Sequence, residues 1–540
     1  MADLTHDLSG DPTAPLIAPE SPKAQDAGVM GAYGGGGHHR PPGEAGHVRT
    51  LGLLPLVTLI FFEVSGGPFG TEDAVSAAGP LLTILGFLIF PLLWSVPEAL
   101  ITAELATAFP ENSGYVAWVT AAFGPFWGFQ EGLWSWISGV TDNSLYPVML
   151  AANMQIFVPQ LESGWPRYVF LVGMSLLLSW LNYRGLTVVG HAVVTSTLAI
   201  LLPFGVLCLL CIPHVNVSNY KQVDWATVDW STFLNVMFWN LNYWDSVSTL
   251  AGEVRNPGRT FPRALLLAVG LVVAMYLLPT LAALGVVAEP GDWTLGYYGT
   301  VAQQVGGPWL AAWIVVAAAC SQIGQYQAEM ASDSYQVQGM AERGFLPRAL
   351  GRRSRHGTPV YGIALSSLGV LCLASMSFVE IVTLLNAIYC LAELLEFAAY
   401  IWLRVKRPAM PRPYKVPLPV WGLVLMLLPA SALLLVVLAM PFLARDWRTI
   451  AWTGGAVALG FTMYPALQLA KTRGWLEFEA GGIHFDCAGI YEEPAGGPTA
   501  NGHTNGVNGH HAPTAADAAP PVVVQPGAEE VAPLLGPKPQ

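Results

Sequence analysis

The sequence predicts an all-α polytopic membrane protein with twelve transmembrane helices. Three observations carry that prediction. Charged residues make up 11% of the chain, against about a quarter in a soluble domain. Apolar runs of roughly 20 residues, long enough to cross a bilayer core, recur along most of the chain. Lys and Arg fall between these runs, never at their centres. One core built from many spanning helices follows, in place of several soluble domains.

The spans read, within a few residues, as 51–78, 80–108, 124–158, 168–187, 190–213, 231–253, 261–288, 308–339, 359–377, 380–403, 419–441 and 447–470. The first is interrupted. Residues 1–48 ("GAYGGGGHHRPPGEAGH") and those from about 492 ("GGPTANGHTNGVNGHHAPTAADAAPP") are rich in Gly, Pro, Ala and His and lack periodic apolar content, so 476–540 is expected to be mostly disordered. Both are expected to be disordered tails flanking a twelve-helix membrane domain at 49–475. Their His residues fit no metal motif, so no metal is expected. The start lacks the cationic stretch and apolar core of a cleaved signal peptide. Five of the six Cys lie in apolar runs and behave there as small hydrophobes; Cys487 lies near the tail.

The basic residues set the sidedness. With both termini inside, twenty of the 24 Lys and Arg fall on the cytoplasmic side. Only Arg167, Lys221, Arg445 and Arg448 fall outside. The bias holds in the short loops, which is where the positive-inside rule operates. The plasma membrane is the default location, with internal membranes as alternatives. Asn216-Val217-Ser218 is a glycosylation sequon in a loop expected outside. The net charge of −12 excludes a nucleic-acid partner.

The acids do not follow the bases. Glu63, Glu104, Glu131, Asp142, Asp245, Glu329, Glu393 and Glu396 all lie within apolar runs. A lone carboxylate at a helix centre costs about 2.5–3.5 kcal/mol even on the lenient insertion scale. No basic side chain is expected in the membrane to offset it. These acids must then face water, take up protons, bond to backbone, or receive a cation from outside. Glu104, Glu131 and Asp142 lie toward span ends, where anchoring competes with binding. Glu393 and Glu396 are three apart on one helix face, and one of them can be structural.

Glu63 and Asp245 stand apart because each lies beside a break. In span 1 the break is "SGGPFG". Glycine and proline free backbone groups there, which is tolerated at membrane depth only against a cavity or inside protein. Span 6 reads "FLNVMFWNLNYWDSVSTLAGEV". Asn235, Asn240, Asn242 and Asp245 crowd its centre, and Asn competes with helix by bonding local backbone. Two such irregularities five spans apart are what an inverted repeat produces.

Four stretches, "VSGGPFG", "ALITAELATAFPENSGYVAWV", "GEVRNPGRTFPRAL" and "AERGFLPRAL", occur in this order. With them, residues 50–470 resemble the amino acid–polyamine–organocation transporters. "FFEVSGGPFGTEDAV" is most similar to the plant polyamine uptake transporters, relatives of the L-type amino acid transporters. The resemblance implies a LeuT-like five-plus-five inverted repeat with two further helices. It also implies proton-coupled uptake and a site between broken helices 1 and 6. In amino acid carriers of this superfamily, free amides at the first break bind the substrate carboxylate. Ser65-Gly66-Gly67-Pro68-Phe69 occupies that place here, where Pro68 has no N–H to give and Glu63 repels a carboxylate. The resemblance puts Trp239 at an aromatic gate. It puts Asp245 where some relatives carry a Glu. A Lys that several relatives carry in span 5 is missing, with Ser196 near its place.

The expected function is therefore proton-coupled uptake of a polyamine, with no cofactor beyond the proton gradient and with the lipid bilayer as surroundings. Polyamine amines titrate near the Lys range, about 10.4, so the ligand arrives multiply charged. The expected substrate site is Glu63, Gly66, Gly67, Asp142, Trp239, Asn240, Tyr243, Trp244, Asp245 and Glu393. Trp239, Tyr243 and Trp244 offer cation–π faces; ordinary packing competes for each. Burial favours the neutral form of a carboxyl, and Glu329 is the expected proton-coupling residue. Two other readings of Glu329 are a hydrogen bond to the Gln325 and Gln327 region or membership of the substrate site. A neutral or cationic amino acid carrier of the same fold is the nearest alternative, and a non-transporting nutrient sensor a more distant one. No nucleophile–base or metal constellation points to an enzyme.

Overall fold

The computed structural model describes residues 49–154, 158–287, 289 and 293–479. The expected tails, apart from residues 476–479, and Cys487 lie outside these residues. Among the described residues the fold is helical, with isolated β-bridges only at Leu51–Val254 and Arg353–Pro359. Six stretches of the described residues are long and apolar enough to cross a membrane, such as Pro257–Val286 and Val420–Leu443. Exposed Leu425, Leu428 and Leu435 on the last of these form an outward apolar surface suited to lipid.

Helix α1 (Leu53–Val64) stops where the first break begins. Gly66, Gly67 and Gly70 have φ of 63°, 130° and 88°, conformations that a side chain makes costly. Helix α2 (Glu72–Phe90) resumes the path. Its Gly79, at φ 77° and ψ 174°, separates a short first piece from the long run beginning at Pro80. That run continues through a π-turn at Pro91–Ser95 into α3 (Val96–Ala108). The expected boundary at 78–80 is this kink.

Then follow α4 (Tyr115–Phe123), α5 (Pro125–Asn143), α6 (Leu145–Met154), α7 (Gly164–Tyr183) and α8 (Leu186–Cys211). The second break lies between α9 (Trp230–Trp239) and a 3-10 segment at Ser246–Glu253. Tyr243 within it has φ 66°, a strained value for a bulky residue. Asn240 behaves as expected: its Nδ2 donates to Val236 O at 2.8 Å and to Gly70 O at 3.3 Å. One side chain thus adds a second donor to a helix-end carbonyl that the Asn240 amide already meets at 3.0 Å, and ties the two breaks together. The chain continues as α10 (Pro257–Val286), α11 (Tyr297–Gly306), α12 (Pro308–Glu342), α13 (Val360–Leu373), α14 (Phe378–Lys406), α15 (Val420–Leu443) and α16 (Trp447–Thr472). The short helices α4 and α11 fall between expected spans.

Packing surrounds the breaks. Helix α12 lies against α8, α5 and α1, and α14 lies against α5 and α9. One end of the bundle is tied by bases. Arg353 pairs with Glu253 at 3.0 Å, Arg343 with Glu111, and Arg348 with Glu479 at 2.8 Å. Thr50 and Leu51 donate to the Glu253 carbonyl, both at 3.0 Å, holding the start of α1 to the segment before α10.

The same arginine-rich end corrects one expectation. Glu104 meets Arg404 at 2.7 Å and Arg412 at 2.9 Å, with all three side chains buried. The chain after α14 folds back and carries Arg412 inward. The Val416 amide also donates to Glu104, at 2.8 Å. A base does reach a span acid here, and Glu104 is an anchor.

Candidate functional site

Where the two breaks face α5 and α12, four acids meet. Glu63 is in the last turn of α1, Asp142 in the last turn of α5, and Glu329 and Asp333 one turn apart on α12. All four are buried. Glu63 accepts the Ser332 hydroxyl at 2.5 Å, and the Glu329 carboxyl adjoins it. Small residues make room for this crowding. A methyl on Gly139 would lie 2.7 Å from a Glu329 oxygen and closer still to Asp333. Asp142 accepts the Trp239 indole N–H at 2.7 Å on one oxygen and the Tyr146 hydroxyl on the other. Glu63 Oε2, Glu329 Oε2 and Asp333 Oδ2 are buried without a hydrogen-bond donor.

The neighbouring glutamines do not hold Glu329. Gln325 accepts the Ser321 hydroxyl at 3.0 Å. Gln327 bonds Asn182 at 2.8 Å and Leu178 O at 3.0 Å. Among the described residues, no Lys or Arg pairs with any of these four acids; the ion pairs lie elsewhere.

The first break offers little to an anion. The Gly66 amide donates to Phe61 O at 2.9 Å, and the Gly67 amide to Ser65 Oγ at 3.1 Å. The Gly70 amide donates to Glu72 Oε2 at 2.8 Å. Glu72 also accepts the Gly296 amide at 3.1 Å, so the acid on the far side of the break is fully occupied as a backbone cap. Gly66 and Gly67 contribute close packing: a Cβ on Gly67 would meet Ile200 of α8 at 3.2 Å. That apolar contact comes from the span where relatives were expected to carry Lys.

Trp239 covers this region. Its ring lies over Gly70 and edge-on to Phe378, with centroids 5.2 Å apart. Tyr243 links two helices across the second break. Its hydroxyl bonds Ser138 at 2.8 Å and its amide donates to the Tyr389 hydroxyl at 3.0 Å. Trp244 turns its indole N–H to its own Leu241 carbonyl at 2.8 Å, and its amide donates to Glu98 at 2.8 Å.

Asp245 and Glu393 belong to a second acid group. With Glu98 of α3 they offer oxygens within 4.8 Å of one another. Tyr389 donates to Glu98 and Asp245, both at 2.9 Å. The expected site residues therefore divide: Glu63, Asp142 and Trp239 with Glu329 on one side of Tyr243, and Asp245 and Glu393 on the other. Glu98 and Asp333 were not expected. For Asp333 a signal existed, since it follows Glu329 by four residues and so shares its helix face.

A helical membrane bundle with two broken helices around buried acids, with which no Lys or Arg pairs among the described residues, has the architecture of a carrier. The amino acid permease family matches residues 51–461, and the chain belongs to that family. It is 50% identical to "Polyamine transporter PUT1" of Oryza sativa subsp. japonica over 483 residues, 88% of this chain and 90% of that protein. It is 46% identical to "Polyamine transporter RMV1" of Arabidopsis thaliana over 473 residues, 86% and 95% of the two. A probable polyamine transporter of Arabidopsis thaliana is 48% identical over 439 residues, 81% and 88%.

Proposed function

We propose that this chain is a secondary transporter that takes up polyamines by alternating access. The observation that carries the proposal is the group Glu63, Asp142, Glu329 and Asp333, buried at the two breaks without a basic partner among the described residues. Unpaired acids at that depth are costly, and a multiply charged cation relieves them. The occupied amides of Gly66 and Gly67 weigh against a carboxylate-bearing ligand. The relatives' names point the same way.

The packing also favours twelve spans in a five-plus-five inverted repeat. Exchanging the halves turns the α8–α12 contact into α14–α5, α1–α10 into α9–α2, and α1–α8 into α9–α14, and all six pairs pack. The arginine-rich end is then cytoplasmic by the positive-inside rule, with both termini on that side, and the plasma membrane is the proposed location.

Glu329 is the proposed proton acceptor. It shares its centre with Glu63, so proton and ammonium compete for one place. Uptake is then expected to rise as outside pH falls and to need no sodium. The test is uptake into proteoliposomes with a panel of diamines, polyamines and amino acids at two pH values. Uptake restricted to ligands with a carboxylate would favour an amino acid carrier and sink the proposal. Binding without flux would make the protein a sensor. Glu329→Gln is expected to keep exchange and lose the component driven by a pH gradient. Wild-type uptake that follows sodium and ignores pH would remove the proton role.

A further inference from the structure

We propose that Glu98, Asp245 and Glu393 form a second ammonium site, which receives the leading amine of a substrate carrying two or more amines. This rests on the polyamine reading above and adds a second place along the path. The three carboxyl groups come from α3, the second break and α14. An ammonium making three charge-assisted N–H···O bonds of about 2.8 Å sets its acceptors about 4.6 Å apart. The three oxygens lie within 4.8 Å of one another. Both oxygens of Glu393 and Oε2 of Glu98 are buried with no hydrogen-bond donor. The Tyr389 hydroxyl has one hydrogen to divide between Glu98 and Asp245. The Trp244 amide serves the other Glu98 oxygen at 2.8 Å, so the shortage of donors lies at Glu393 and Glu98 Oε2, and donors are what an arriving ammonium supplies.

The walls favour an organic cation over a metal ion. Hard divalent cations take six to eight oxygens. Here the acids are backed by rings instead: Tyr243 lies 4.6 Å from Tyr389, Phe238 5.9 Å from Tyr389, and Trp94 4.9 Å from Phe238. Such faces suit an ammonium and its methylenes.

The site lies beyond the first acid group in the direction of the arginine-rich end. Glu98 precedes the anchored Glu104 by six residues of helix, about 9 Å. Tyr243 stands between the groups, with its hydroxyl on Ser138 near Asp142 and its amide on Tyr389. An amine released from Glu63 thus meets a second set of acids before it meets the arginines. A ligand with one amine occupies one site at a time, and a ligand with two spans both.

The experiment is equilibrium binding to the purified full chain in nanodiscs at fixed salt and at two pH values, with 1,4-diaminobutane and butylamine as probes. The wild type is expected to bind the diamine at least about tenfold more tightly, one charged contact more. Glu98→Gln and Glu393→Gln are expected to bring that ratio down to within about threefold. Glu380→Gln, in the first turn of α14, is expected to keep it. If the glutamine variants are not monodisperse, Glu393→Asp, which keeps the charge and shortens the arm, decides by the same ratio. A wild-type ratio retained in the folded variants overturns the second site while leaving the polyamine reading standing. Loss of pH dependence with the ratio intact makes the cluster a proton site and overturns the proposal. So does competitive displacement of the diamine by calcium or sodium in the wild type that Glu393→Gln abolishes. A wild type that binds neither amine overturns both readings together.

Discussion

Glu104 and Glu63 are the same residue type, both buried, in different parts of one bundle. Glu104 lies between two arginines, a tyrosine hydroxyl and a backbone amide. Glu63 has a serine hydroxyl and another acid. Burial alone therefore says nothing about what a carboxylate does in this protein; the partners decide. At the arginine-rich end charges are neutralised within the chain and hold segments together. At the breaks no Lys or Arg among the described residues pairs with the acids, and under the proposed function the neutralising charge arrives with the substrate. Each substitution below tests one side of that contrast.

The largest effect is expected at the anchor. Glu104→Gln leaves Arg404 and Arg412 close together and buried without their acid. Removing one partner of a buried ion pair typically costs about 3–5 kcal/mol, because the other charge stays behind. Thermal unfolding of the solubilised protein should show this loss. Adding Arg404→Met should recover part of it. An unchanged melting temperature in Glu104→Gln would mean that the arginines do not need the acid, and the contrast would fail.

Glu63→Gln is expected to do the reverse. No base is stranded by the change, so unfolding should move little. Polyamine affinity should fall by about 1.5–3 kcal/mol, the range for a hydrogen bond to a charged group, or roughly 10- to 150-fold. Gly139→Ala attacks the same centre by volume. Its methyl would press on Glu329 and Asp333, and overpacking of this kind costs about 1–3 kcal/mol. Binding should weaken without any charge being removed. Kinetics of uptake measured on both variants decide the matter: if both match wild type, the ligand binds elsewhere.

The breaks were legible in the sequence because each needs a special residue. Three positive-φ positions demand glycine at the first, and at the second the Asn240 side chain bonds the local Val236 carbonyl and reaches across to Gly70 O. The anchor was half legible. Glu104 lies near a span end, but its bases come from residues 404 and 412, and only the return of the chain after α14 brings Arg412 to it. Glu98 was the harder case. It follows Pro97 in an otherwise apolar run and is far from either break in sequence, so nothing local marks it as facing Asp245. Helices α4 and α11 were missed because nine and ten residues are too short to produce a spanning apolar run.

The smallest expected effect concerns the ring over the first break. Trp239 does two things: its indole N–H donates to Asp142, and its ring covers Gly70. Trp239→Phe removes the first and keeps most of the second. The affected oxygen of Asp142 loses one donor, while the other oxygen keeps Tyr146. A loss of about 1 kcal/mol is expected, near the middle of the range for a single hydrogen bond, or about fivefold in affinity. Trp239→Ala removes the ring as well. It opens the space above Gly70, lets water reach the acids and takes away a cation–π face, so its effect on transport should exceed that of Phe. Uptake kinetics for the pair separate the two roles. Equal loss in Phe and Ala would assign the whole effect to the indole bond with Asp142 and none to the cover. No loss in either would mean that the acids at the break need neither, and that their partner is shielded by something other than this ring.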